Sequence, residues 1–187
     1  MPTGYGDYYA WGETETKSNY SWYTYKWMTS GWSDWPYINK YQSKDGRTTA
    51  CWYDSDGNFI GDGKAVLETA DDVAVQKLGS MWRMPTDAEW TELRNYCTWT
   101  STTQNGVTGY LVAGKKEGYT DRSIFLPAAG CRSSTSYSDV GHYGRYWSSS
   151  LNTGNSDGAY FVDFYSSSVL RHDYYRYNGY SVRPVQE

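Results

Sequence analysis

Three stretches of this chain carry residue types at spacings that chemistry uses. Asp54, Asp56 and Asn58 stand at alternate positions, as the oxygen ligands of a calcium loop do. Such a loop also needs Gly at its sixth place and Glu at its twelfth, where this chain has Phe59 and Ala65, so a polar turn accounts for it better. Gly154-Asn155-Ser156-Asp157-Gly158 has the Gly-x-Ser-x-Gly form of a hydrolase nucleophile, with Asp163 and His172 following in order. That nucleophile sits between a strand and a helix, and the residues after Gly158 alternate as a strand. Gly109 to Lys115 spaces two glycines and a lysine like a phosphate loop, but Lys116 stands where Ser or Thr would hold magnesium. Tyr110-Leu111-Val112 inside it has strand character. None of the three is complete, and neither a cofactor nor a metal is expected.

A fourth stretch is built for contact rather than catalysis. From Gly118 to Val185, 68 residues, there is no Lys, Glu, Gln or Met, although the preceding 117 residues carry 21 of them. Tyr and Ser fill 23 of the 68 positions. Tyr offers large contact area with little rotamer freedom to lose, and Ser, Gly and Asn offer adaptable hydrogen bonds, the chemistry of binding loops. Strand propensity explains why Lys and Glu are scarce but not why Gln and Met are missing. His142 and His172, the two histidines, fit this surface better as contact residues than as a catalytic pair.

The bulk properties narrow the classes. A chain of 187 residues suits one domain with one real core. Ten Trp and 21 Tyr hold much of the area that can be buried, since each aromatic ring covers roughly 150–250 Å². A net charge of −4 with no basic run argues against nucleic acid. No apolar run approaches the ~20 residues of a membrane helix, and no signal peptide opens the chain. Cys51, Cys97 and Cys131 cannot all pair within one chain, and buried thiols are expected.

The elements that must position these residues follow from local signals. Residues 5–41 are rich in Tyr and Trp, and Asn19 to Trp27 alternates as a short strand would. Asp45-Gly46, Asp56-Gly57 and Gly61-Asp62-Gly63 mark turns between Ser43 and Lys64. A helix is expected over Ala70 to Leu78, capped by Thr69 and ended by Gly79. A second is signalled more strongly: Thr86 and Glu89 form a capping box, and Trp90, Leu93 and Cys97 fall on one face. Gly109 to Val112 and Ser123 to Pro127 flank a polar turn and suggest a hairpin. In the tail, Arg145 to Ser149, Ala159 to Tyr165 and Tyr180 to Val185 look like strands. Alternation over the middle one would send Val162 and Phe164 to the core and Phe161, Asp163 and Tyr165 outward. Two helices followed by several short strands make a single α+β domain the expected class.

Four segments in this order resemble a known family: Arg83-Met84-Pro85-Thr86-Asp87-Ala88-Glu89-Trp90, Ile124-Phe125-Leu126-Pro127-Ala128-Ala129-Gly130, Tyr146-Trp147-Ser148-Ser149-Ser150 and Gly179-Tyr180-Ser181-Val182-Arg183-Pro184-Val185. They are similar to bacterial C-type-lectin-fold proteins, nearest to the Fibrobacter succinogenes major paralogous domain family. Some of those proteins are the variable proteins of diversity-generating retroelements. The resemblance spans Gly6 to Val185 and implies an α+β, C-type-lectin-like fold of two helices and short, mostly antiparallel strands. Residues 1–117 would be scaffold and 118–185 the variable, ligand-binding part.

The resemblance also implies a function. In such variable proteins adenine-directed mutagenesis acts on Asn-type codons, which can become Tyr, Ser, Asp, His, Arg, Gly, Leu or Phe but not Lys, Glu, Gln, Met or Trp. The one Trp of the tail, Trp147, lies in a framework segment. By this resemblance the diversified, ligand-contacting positions would be Tyr137, His142, Tyr143, Arg145, Asn152, Asn155, Phe161, Asp163, Tyr165, Leu170, His172, Asp173, Tyr174 and Tyr177. The partner would be a protein or glycan bound without catalysis, by a protein exported from or displayed on a bacterial cell. Two alternatives stand beside it. Formylglycine-generating enzymes have a very similar Arg-x-Pro-Thr-x-Ala-Glu-Trp segment, but they need two close cysteines late in the chain, where only Cys131 follows Cys97. A polysaccharide-binding adhesin would use the many aromatics directly. Calcium-dependent sugar motifs of lectins (Glu-Pro-Asn, Gln-Pro-Asp, Trp-Asn-Asp) are missing from the sequence.

Overall fold

The computed structural model describes residues 4–28, 38–43 and 52–186. The Asp45-Gly46 turn and the Cys51 thiol expected from the sequence lie outside the described residues.

Helix α2 (Asp87–Tyr96) forms where the capping box places it. Thr86 Oγ1 accepts from the Glu89 N–H at 3.2 Å, and the Glu89 carboxylate accepts in return from the Thr86 N–H at 2.8 Å. Two of the otherwise unpaired first-turn donors are thereby satisfied. Trp90 enters the core, and its indole N–H donates to the Trp147 carbonyl at 3.1 Å. Helix α1 (Val73–Leu78) is shorter than expected, six residues in all. Its cap is Asp72 rather than Thr69, because the Asp72 carboxylate accepts from the N–H groups of Ala74 and Val75 and also, at 2.8 Å, from Met84.

The other regular structure is antiparallel sheet. Strands β2 (Cys97–Gln104), β3 (Val107–Gly114) and β4 (Ser123–Pro127) form one three-stranded sheet. Strands β7 (Tyr143–Leu151), β8 (Gly158–Tyr165) and β9 (Ser168–Tyr175) form a second. Two-stranded pairs join β1 (Trp82–Arg83) to β10 (Val185–Gln186), and β5 (Cys131–Ser133) to β6 (Ser136–Ser138). The expected hairpin is present as β3 and β4, with Leu111 opposite Phe125.

These strands overturn the expected class. Among the described residues, strand amounts to 41% against 12% in helix, and one helix alone reaches seven residues, so the fold is β-rich rather than a two-helix α+β, C-type-lectin-like one. Two strands account for much of the difference. Where the face of α2 was expected to run on through Cys97, the helix stops at Tyr96 and Cys97 starts β2. Asn105 and Gly106 then turn the chain with φ of 49° and 80°, the paired positive angles of a tight hairpin. Strand β9 supplies the third member of the second sheet. The stretch Asn19 to Trp27 is not a strand: Trp22–Thr24 is a single 3-10 turn. From Tyr180 to Val185 the chain makes isolated bridges, Tyr9 to Tyr180 and Tyr146 to Ser181, before β10 begins.

The second sheet lies between two clusters of buried side chains. Val162, Phe164 and Tyr146 pack with Trp90, Tyr110, Val112 and Leu126 on one face. Trp147, Ala159 and Phe161 pack with Trp11, Tyr41, Val73 and Tyr180 on the other. Buried Trp rings keep their N–H groups satisfied, Trp11 on the Ser148 carbonyl at 2.8 Å and Trp147 on the Tyr9 carbonyl at 2.9 Å. A sheet covered on both faces has no outward side over its middle. Phe161 (6% exposed) and Asp163 (7% exposed) are therefore buried, where the sequence led us to expect them outside, while Val162 and Phe164 are buried as expected.

Candidate functional site

The antiparallel register brings eight of the fourteen expected contact residues onto one face. Direct partners across β7 and β8 are Tyr143 with Tyr165, Arg145 with Asp163, and Trp147 with Phe161. Across β8 and β9 they are Asp163 with Leu170, Phe161 with His172, and Ala159 with Tyr174. Opposed residues point to the same side, so Tyr143, Arg145, Phe161, Asp163, Tyr165, Leu170, His172 and Tyr174 share a face. That face is graded. Trp147, Ala159 and Phe161 lie under Tyr180, whose ring stacks on Trp147 at 4.3 Å and meets Phe161 at 4.7 Å. Tyr143, Arg145, Tyr165 and Leu170 are half-buried, and His172 and Tyr174 are exposed.

Arg145 organises the centre. Its guanidinium donates to Asp139 at 2.8 Å and to the Cys131 sulfur at 2.9 Å, lies 3.6 Å from Asp163, and packs 4.7 Å from the Tyr143 ring centre. Burial pushes the Asp163 carboxyl up from its usual range, against the pull of Arg145 and His172. Burial likewise pushes the Cys131 thiol up, with Arg145 opposing. A thiol held protonated in a closed site is a poor nucleophile.

The other expected residues lie apart from this face. Tyr137, 61% exposed, sits on β6 with the Arg132 guanidinium 4.5 Å from its ring centre. His142 is exposed in the turn before β7. Asp173 pairs with Tyr160 on the opposite side of the sheet. Asn152 and Asn155 build the β7–β8 loop: Asn152 Oδ1 accepts from the Gly154 N–H at 2.9 Å and the Tyr160 hydroxyl at 3.1 Å, and the Asn155 N–H donates to the Asn152 carbonyl at 3.1 Å. Tyr177 is half-buried against Trp22, with ring centres 4.9 Å apart.

Two aromatic residues not singled out in the sequence extend this surface. Tyr175 stacks on Tyr177 at 5.6 Å and touches Tyr174 at 4.9 Å, and Trp22 meets Tyr175 at 5.7 Å. A continuous row of rings thus joins β9 to the amino-terminal segment. The signal for Tyr175 was its place in the run Tyr174-Tyr175-Arg176-Tyr177. Trp22 had none, since it belongs to a part of the chain that reads as scaffold.

The near-motifs resolve into structure. Ser156 is fully buried, its hydroxyl accepting from the Ser43 N–H at 3.1 Å, and strand β8 follows it, so no nucleophile elbow exists there. One Asp54 carboxylate oxygen accepts from the N–H groups of Asp56 and Asn58 at 3.0 and 2.8 Å, closing a turn upon itself. Among the described residues no three His, Cys, Asp or Glu side chains come together to hold a metal ion. Cys97 and Cys131 are both free thiols. The Arg83-to-Glu89 segment carries an ion pair, Arg83 donating to both Glu89 oxygens at 2.7 Å.

Residues 99–185, a little under half of the chain, match the model of a domain of unknown function, DUF8237. No curated protein and no solved structure matches the chain. No helix among the described residues is long and apolar enough to cross a membrane.

Proposed function

We propose that this protein is a non-enzymatic binder whose carboxy-terminal Tyr- and Ser-rich surface recognises a protein or glycan partner, and that a diversity-generating retroelement varies that surface. The observation that carries the proposal is the shared face: six of the positions that the family resemblance implied, Tyr143, Arg145, Tyr165, Leu170, His172 and Tyr174, are neighbours across three strands. A graded face suits such a role. Its covered half, Trp147 and Phe161 under Tyr180, holds the backbone fixed while the open half changes. Rigid rings held in place lose little freedom on binding, which favours affinity.

Two experiments test the proposal. The DNA beside the gene should hold a near-copy of the region encoding the tail, differing at adenines, next to a reverse-transcriptase gene. Neighbouring DNA without such a repeat would remove the retroelement part. For the surface itself, a display library randomised at the six positions above should keep full display and yield binders to an unrelated protein such as hen lysozyme. A library randomised at Trp147, Val162 and Phe164 should lose display. Equal loss of display from both would show that the open half is framework.

A further inference from the structure

A cleft of about 710 Å³ opens between helix α2 and the β2–β3–β4 sheet, and none of the fourteen expected contact positions lines it. Its volume lies in the range of small-molecule sites. Leu93, Val112 and Ile124 line it at the edge of the second core, beside Trp90. Four cations line it as well: Lys115, Lys116, Arg122 and Arg183. None of the four has an ion-pair partner among the described residues. Arg122 rests 5.1 Å from the Tyr119 ring centre, and Arg183 is half-buried. Of the two carboxylates that line the cleft, Glu89 is held by Arg83 and Thr86, which leaves Glu92 alone to offset four positive charges. This local excess is opposite in sign to the net charge of the chain, −4. A guanidinium that has lost part of its water forms strong, paired hydrogen bonds with a carboxylate placed beside it.

We infer that this cleft binds a small organic anion with an apolar body, a carboxylate carried on a hydrocarbon chain or ring. The apolar wall takes the hydrocarbon, as burial of apolar surface favours. The carboxylate meets Arg183 and the lysines at the rim, and the backbone under Lys115 is held by its N–H bond to the Tyr96 carbonyl at 3.3 Å. Neither half of such a ligand suffices alone: acetate lacks the body and an alcohol lacks the charge.

Cys97 lines the cleft and reports its occupancy. Decanoate, kept below its micelle concentration, should slow alkylation of Cys97 by N-ethylmaleimide about tenfold at saturation, which separates a bound from an open site. Decanol and acetate at the same concentration should not. The buried Cys131, followed in the same digest by mass spectrometry, separates occupancy from a general tightening of the fold. The exposed pair Lys115→Gln/Lys116→Gln, and separately Arg183→Gln, should weaken decanoate protection about tenfold, a loss of the size expected for a charge contact; protection is taken as the ratio of rates without and with decanoate in each variant, because Lys115 itself favours the Cys97 thiolate. Absence of protection by decanoate, equal protection by decanol, or undiminished protection in both variants would each overturn the inference. None of these outcomes bears on the Tyr/Ser surface.

Discussion

The ring of Tyr143 lies over that of Tyr165 with centroids 4.6 Å apart and planes 23° apart, at the open end of the β7–β8 pair. The two are direct partners across the strands, and the Arg145 guanidinium packs against the first of them. An aromatic pair of this kind fixes both side chains before any partner arrives. Under the proposed binding role, stability belongs to the covered half of this sheet face and recognition to the open half.

That division can be measured by truncation. Phe161→Ala and Trp147→Ala should each cost about 3–5 kcal/mol, because both rings are enclosed by Tyr180 and the amino-terminal segment. Tyr174→Ala, at 52% exposure, should stay within about 0.5 kcal/mol. Urea denaturation of the three variants gives the values. A loss at Phe161 as small as that at Tyr174 would mean that the covered half of the face is not packed as described.

Gly144 is needed for space rather than for its backbone angles. A Cβ at that position would meet the Phe164 ring at 1.9 Å. Gly144→Ala should therefore destabilise by about 1–3 kcal/mol or more, as overpacking does, and Gly144→Ala combined with Phe164→Leu should recover part of the loss. Thermal melts of the single and double variants decide the matter; a neutral single variant would show that Phe164 can move aside.

The Arg83–Glu89 pair predicts a pH dependence. Contact with Arg83 first, and hydrogen bonds from Thr86 second, hold the Glu89 carboxyl down to about 2 from an ordinary 4.5. A carboxyl lowered in the folded state adds stability above its unfolded value and loses it as the pH falls through the folded one. Glu89→Gln should accordingly melt below the parent at neutral pH, with the gap closing between about pH 4.5 and about pH 2. A gap that stays constant across that window would assign the effect to the cap geometry instead of the charge.

Several features of this protein are local and could be read without coordinates. The α2 cap is a relation among residues three apart. The β3–β4 hairpin and the inward placing of Val162 and Phe164 follow from turn residues and alternation. The composition of the tail marked it as a contact surface, and eight of the fourteen positions that the resemblance implied share one face. Even the missed β2–β3 hairpin had its signal, Asn105-Gly106, in plain view.

Other features depend on partners distant in the chain. The α1 cap went to Asp72 rather than Thr69 because Asp72 also binds Met84, a preference that helix propensity cannot express. Part of the balance of strand over helix came from β9, whose polar sequence alternates weakly and becomes a strand through its pairing with β8. Alternation along β8 could separate its two sides, but not say that both are covered. Tyr180 and Trp11, each far away in sequence, close the side that holds Phe161, and that packing alone decides which of the chosen residues remain open to a partner.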